Sequence, residues 1–112
     1  MVRLHLNVLI LLFSVTFSLV ARAADIYWID VRTAEEFNKG HVSGALNIPY
    51  EDIADAIPEV SQDRNATIYL YCRSGRRSGI AKTALEELGY TQVVNLETLE
   101  KAQEKAAELR AR

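Results

Sequence analysis

The chain contains one cysteine, Cys72, and it opens the run Cys72-Arg73-Ser74-Gly75-Arg76-Arg77-Ser78-Gly79. Residue types in this order suit nucleophilic chemistry on an anion. The thiolate is the reacting form of cysteine, and neighbouring cations or a helix N-terminus bring its pKa down to about 3.5–7.5. Arg73, Arg76 and Arg77 supply positive charge, so the expected guest is small and strongly anionic. Gly75 and Gly79 allow the curvature that a tight anion cradle needs. The thiol is expected to be reactive and open to solvent. A lone cysteine excludes a Cys-rich zinc site, and no metal or cofactor is expected. The Gly-x4-Gly-Lys-Ser/Thr nucleotide loop is absent. A phosphatase loop of the Cys-x5-Arg type would place arginine where Ser78 stands, so this loop is one residue tighter.

The flanking residues must position that loop. Ile68-Tyr69-Leu70-Tyr71 is a continuous apolar run of strand length, as expected for a central strand buried on both faces. After the loop, Ala81, Ala84, Leu85 and Leu88 recur at helical spacing and Gly89 closes the helix. A strand, a tight loop and a helix in succession place the loop at the carboxyl end of a sheet. Free backbone N–H groups and the helix dipole favour an anion at that junction.

Upstream, Tyr27-Trp28-Ile29-Asp30-Val31 reads as a strand. Thr33-Ala34-Glu35-Glu36 forms a capping box for a short helix, and Gly40 is expected to end that helix in a left-handed conformation. A turn follows at Val42-Ser43-Gly44-Ala45, then a short strand Leu46-Asn47-Ile48 and a short helix Glu51–Ala56 stopped by Pro58. Gln92-Val93-Val94-Asn95 is expected as the last strand and Leu96–Arg112 as a terminal amphipathic helix. Strands alternating with helices imply an α/β domain with a mostly parallel sheet.

Met1–Ala23 reads as a signal peptide. Val8–Ala21 is uncharged and mostly apolar, shorter than the ~20 residues of a spanning helix. Ala21-Arg22-Ala23 gives the small-x-small pattern of a cleavage site. A single domain, residues 24–112, is expected to remain, exported to a periplasmic or extracellular compartment with no stable membrane insertion. Removal of Arg3 and Arg22 takes the net charge from −2 to −4, which gives no reason to expect a nucleic-acid partner. Of the 89 residues from Ala24 onward, 39 are apolar, enough for an ordinary folded domain rather than a disordered one.

Three segments in order carry a resemblance: Ile29-Asp30-Val31-Arg32 with Glu36-Phe37, then Gly40–Pro49, then Tyr71–Ser78. Together they resemble the rhodanese homology domain, in its exported single-domain form, over roughly Trp28 to Asn95. The resemblance implies a three-layer α/β sandwich and a thiosulfate sulfurtransferase. It implies that Cys72 attacks thiosulfate, becomes a persulfide and passes sulfur to a thiophilic acceptor such as cyanide or a thiol. The N–H groups of Arg73–Arg77 would hold the persulfide. Arg76 and Arg77 would bind the sulfonate end, with Arg73 turned more to solvent, and Ser74, Gly75 and Ser78 would complete the substrate loop. Asp30 and Arg32 are implied as a structural ion pair near the site, and His41 as a turn residue rather than a base. The protein is expected to act as a monomer or weak dimer. One departure concerns Asn95-Leu96-Glu97-Thr98-Leu99, where the family commonly carries two glycines. This is expected to reshape the pocket rim or lengthen the terminal helix. Two rival functions stand beside the enzyme: a non-catalytic module for partner binding or redox sensing, and a relative of phosphatases or arsenate reductases.

Overall fold

The computed structural model describes residues 25–112, so the expected signal peptide lies outside the described residues. Four strands and four helices alternate: β1 (Ile26–Asp30), α1 (Ala34–Lys39), β2 (Leu46–Asn47), α2 (Ile53–Val60), β3 (Thr67–Cys72), α3 (Arg76–Glu87), β4 (Gln92–Thr98) and α4 (Leu99–Arg110). The strands form one parallel sheet in the order β2-β1-β3-β4. Among the described residues, no helix is long and apolar enough to cross a membrane.

Strand β3 lies inside the sheet and is buried on both faces, which is why its apolar run is unbroken. Ile68, Leu70 and Cys72 face a layer made by α2 and α3, where they meet Ile53, Ile57, Ala81 and Leu85. Tyr71 faces the opposite layer, against Val42, Ala45, and Ala102 and Ala106 of α4, with Phe37 of α1 packed alongside. Tyr69 stacks on Trp28 with ring centroids 4.5 Å apart. The result is the expected three-layer α/β sandwich, with helices on both faces of a parallel sheet. Cys72 pairs with Thr98 beyond a register shift in the β3–β4 ladder. The loop after Cys72 therefore starts at the carboxyl edge of the sheet.

Three local expectations are corrected. The helix expected at Glu51–Ala56 is a 3₁₀ turn, Tyr50–Asp52, followed by α2 running to Val60 through Pro58. Burial of Ile53 and Ile57 holds this helix. Pro58 costs only the bond to the carbonyl of exposed Ala54, where water can replace it. Gly40 ends α1 as expected but at φ 155° and ψ 134°, outside the left-handed helical region. The last strand extends to Thr98, and the terminal helix starts at Leu99 rather than Leu96. Thr98 sets this boundary, because its extended backbone lets its hydroxyl accept the Lys101 N–H at 3.2 Å. Glu97 adopts φ 70°, a left-handed conformation that is uncommon for a residue with a side chain, and it lies just before the two positions, Thr98 and Leu99, where the glycines are missing. The capping box at Thr33 and Glu36 is present as expected.

Leu70 is fully buried in an internal strand, so a void there is left without solvent to fill it. Leu70→Ala is expected to lower the unfolding free energy by about 2–5 kcal/mol in urea denaturation.

Candidate active site

Cys72 is the last residue of β3, and its side chain follows the inward alternation of Ile68 and Leu70. It is therefore buried, with 1% of its surface exposed, and not open to solvent as its arginine-rich neighbourhood suggested. The chain then turns through Arg73, Ser74 and Gly75 into the first turn of α3. Gly75 stands at φ 94°, and a Cβ there would lie 3.2 Å from Cβ and Cγ of Glu97. The backbone conformation favours glycine, and the approach of Glu97 leaves a side chain little room. This turn brings the Gly75 N–H to 3.0 Å from the Cys72 Sγ. The Ser78 hydroxyl, one helical turn along, lies 3.3 Å from the same sulfur.

Two opposing effects act on this thiol. Burial pushes its pKa up, whereas the Ser78 hydroxyl and the backbone N–H groups of Ser78, Ser74 and Gly75 push it down. The donors prevail, and the thiol ionises below its ordinary range. The leading downward influences are neutral donors of the loop, not the arginines to which the sequence pointed.

The side chains of the three arginines separate. Arg77 forms a fork on Glu36 of α1, at 2.7 Å to Oε1 and 3.0 Å to Oε2. Arg73 and Arg76 are exposed and make no ion pair or hydrogen bond through their side chains among the described residues. Asp30 and Arg32 sit at the end of β1, next to the loop-bearing strand. Arg32 donates to both carboxylate oxygens of fully buried Asp30, at 2.9 Å and 2.6 Å, and to the Gly40 carbonyl at 2.7 Å. His41 bonds the Phe37 carbonyl at 2.8 Å and stacks on the Phe37 ring, as expected of a turn residue.

Sequence reasoning assigned no role to Asn95. Its Oδ1 accepts the Ser78 hydroxyl at 2.6 Å and the Glu97 N–H at 2.8 Å, and its Nδ2 donates to the Gly75 carbonyl at 3.1 Å. The available signal was its place at the carboxyl end of a strand. The pairing of that strand with β3 is a tertiary fact.

The sequence profile of the Rhodanese-like domain matches residues 18–98. The chain belongs to this family. It is 44% identical over 86 residues to the thiosulfate sulfurtransferase PspE of Escherichia coli (strain K12), covering 77% of this chain and 82% of that protein. It is 38% identical over 77 residues to a sulfurtransferase of Allochromatium vinosum, covering 69% and 70% of the two chains. A solved structure described as rhodanese with anions, from E. coli, superposes with a TM-score of 0.65 at 43% identity. It covers 68% of this chain and 89% of that one. The expected rhodanese-like fold and kinship with sulfurtransferase enzymes are met.

In this rhodanese-like domain Glu36 links the loop to α1. It completes the capping box with Thr33 and holds Arg77. The Arg77 bond is the main reason its pKa falls from 4.5 to about 2, burial opposing and Thr33 assisting. A carboxyl depressed on folding stabilises the protein above its unfolded pKa and loses that contribution as pH falls through the folded value. Wild-type thermal stability is therefore expected to decline between pH 4.5 and about 2 more steeply than that of Glu36→Gln. At neutral pH that variant is expected to lose about 1 kcal/mol, read by thermal melts across the pH series.

Proposed function

We propose that the protein is a thiosulfate sulfurtransferase in which Cys72 carries the transferred sulfur. The observation that carries this reading is the lone sulfur at the sheet's carboxyl edge, held 3.0 Å from the Gly75 N–H and 3.3 Å from the Ser78 hydroxyl. The thiolate attacks the outer sulfur of thiosulfate. A sulfur–sulfur bond forms on Cys72 as the bond within thiosulfate breaks, and its electron pair leaves on sulfite. The negative persulfide stays within reach of the Ser74, Gly75 and Ser78 donors, so no general base is required. Cyanide or a thiolate then attacks the outer sulfur and releases the Cys72 thiolate, which completes a ping-pong cycle.

Arg76 and Arg73, exposed and unpaired among the described residues, are the guanidinium groups proposed to receive the sulfonate oxygens. Arg77 borders the same loop, with both terminal nitrogens already bonded to Glu36. Its proposed part is to hold the first turn of α3 in place beside the substrate. The residue pattern of Met1–Ala23 supports export, with a mature domain beginning at Ala24. An intact mass of the native protein that includes Met1 would contradict export without touching the chemistry.

A second reading rests on the burial of Cys72. A thiol with 1% of its surface exposed suits a non-catalytic module that uses cysteine as a packing residue. Mass spectrometry after incubation with thiosulfate separates the two. The enzyme is expected to gain the mass of one sulfur atom and lose it to cyanide as thiocyanate forms. Cys72→Ser is expected to gain nothing while keeping its melting curve. No adduct on the wild-type protein would favour the binding module. Arg76→Ala is expected to raise KM for thiosulfate about tenfold, the loss of one charge-assisted contact, with little change in stability. An unchanged KM would remove Arg76 from the site.

A further inference from the structure

We propose that Asn95 is a positioning residue for Cys72, which fixes the direction of the Ser78 hydroxyl proton and so sets when that hydroxyl can serve the sulfur. The orientation of the Asn95 amide follows from its backbone partners. The Glu97 N–H can only donate, so it faces Oδ1 at 2.8 Å. The Gly75 carbonyl can only accept, so it faces Nδ2 at 3.1 Å. The Ser78 oxygen lies 2.6 Å from that same Oδ1, which has no proton to give. Ser78 must therefore donate to Asn95. A hydroxyl has one proton, and the other acceptors are farther away, the Gly75 carbonyl at 3.2 Å and the sulfur at 3.3 Å.

This order leaves a lone pair of Ser78 facing Cys72. The neutral thiol donates to Ser78, and Ser78 donates to Asn95. When the thiol proton departs to solvent, the sulfur becomes an acceptor only. Ser78 then rotates its proton from Asn95 to the sulfur, while Asn95 keeps the Glu97 N–H. Asn95 and the charged sulfur thus compete for one proton. The same amide ties Gly75, whose N–H is the other close donor to the sulfur, to the end of β4. The charged groups bordering the loop are Arg73, Arg76 and Arg77 on the loop and α3, Asp30 and Arg32 at the end of β1, Glu36 on α1 and Glu97 on β4. None of them replaces Ser78 as the hydroxyl donor to Sγ.

The inference rests on Cys72 being the nucleophile, but its readout does not require sulfur transfer. Cys72 is the chain's one cysteine, so the pH profile of alkylation by iodoacetamide reports its ionisation alone. Asn95→Ala removes the acceptor without adding charge. It releases the Ser78 proton to the sulfur, and the profile is expected to move to lower pH, with alkylation below neutrality rising about threefold. Ser78→Ala alone is expected to move the profile upward. Placing Asn95→Ala in the Ser78→Ala background should abolish the downward shift, because the hydroxyl through which it acts is gone. Equal effects in both backgrounds, no movement or an upward shift in Asn95→Ala, or an unmoved profile in Ser78→Ala would each overturn the proposal. Should Asn95→Ala fail to fold, Asn95→Leu, of similar size and equally without an acceptor, is read instead against the same outcomes. Failure to load sulfur from thiosulfate with these shifts intact would refute the transfer activity and leave the role of Asn95 standing.

Discussion

A sulfur buried against an apolar core yet faced by hydrogen-bond donors is the feature around which this domain is built. The alternation of β3 places Cys72 among Ile68, Leu70 and the apolar side chains of α2 and α3, an environment that penalises a thiolate. The backbone answers within three residues. Gly75 turns the chain sharply enough to aim N–H groups back at the sulfur, and Ser78 follows from the first turn of α3. Neither half is sufficient. Without the enclosing core the donors would face water, and without the donors burial alone would push the thiol's pKa up.

Holding so short a loop in one geometry requires neighbours on several sides. Glu97 stands against Gly75 and fills the space a side chain there would need. The Asn95 amide bonds both the Gly75 carbonyl and the Ser78 hydroxyl. Arg77 ties the start of α3 across the site to Glu36, which is itself fixed by the capping box of α1. The Asp30–Arg32 fork anchors the end of β1 and reaches the Gly40 carbonyl, joining the strand to the turn after α1. Loop rigidity is thus distributed over four elements, each contributing one or two directed polar contacts to a site whose base is apolar.

Much of this was legible in the residues. The unbroken apolar run before Cys72 specifies an internal strand, and Thr33 with Glu36 specifies a helix start, because burial and capping are local demands with local signatures. Gly75 was legible as a turn residue for the same reason. Features that depend on distant partners were not. The burial of Cys72 depends on α2 and α3 closing over that face. Arg77 reads as a free cation until α1 brings Glu36 beside it. Asn95 reads as the end of a strand until β4 pairs with β3. Pro58 reads as a helix stop, yet Ile53 and Ile57 hold α2 through it, since tertiary packing outweighs one missing hydrogen bond on an exposed face. The departure at Leu96–Leu99 did not lengthen the terminal helix, because the left-handed backbone of Glu97 and the extended, capping Thr98 hold the helix start at Leu99.

The left-handed backbone of Glu97 also bears on how the molecule coexists with copies of itself. Among the described residues, a parallel sheet ordered β2-β1-β3-β4 leaves two outer strands whose outward backbone groups could template aggregation. Strand β2 is only two residues long and offers little to copy. Strand β4 is longer, but the register irregularity opposite Leu70 and Cys72 and the left-handed residue near its end interrupt the flat, regular spacing that an incoming chain would have to match. The distortion that seats the sulfur loop therefore also blunts the exposed border of the sheet.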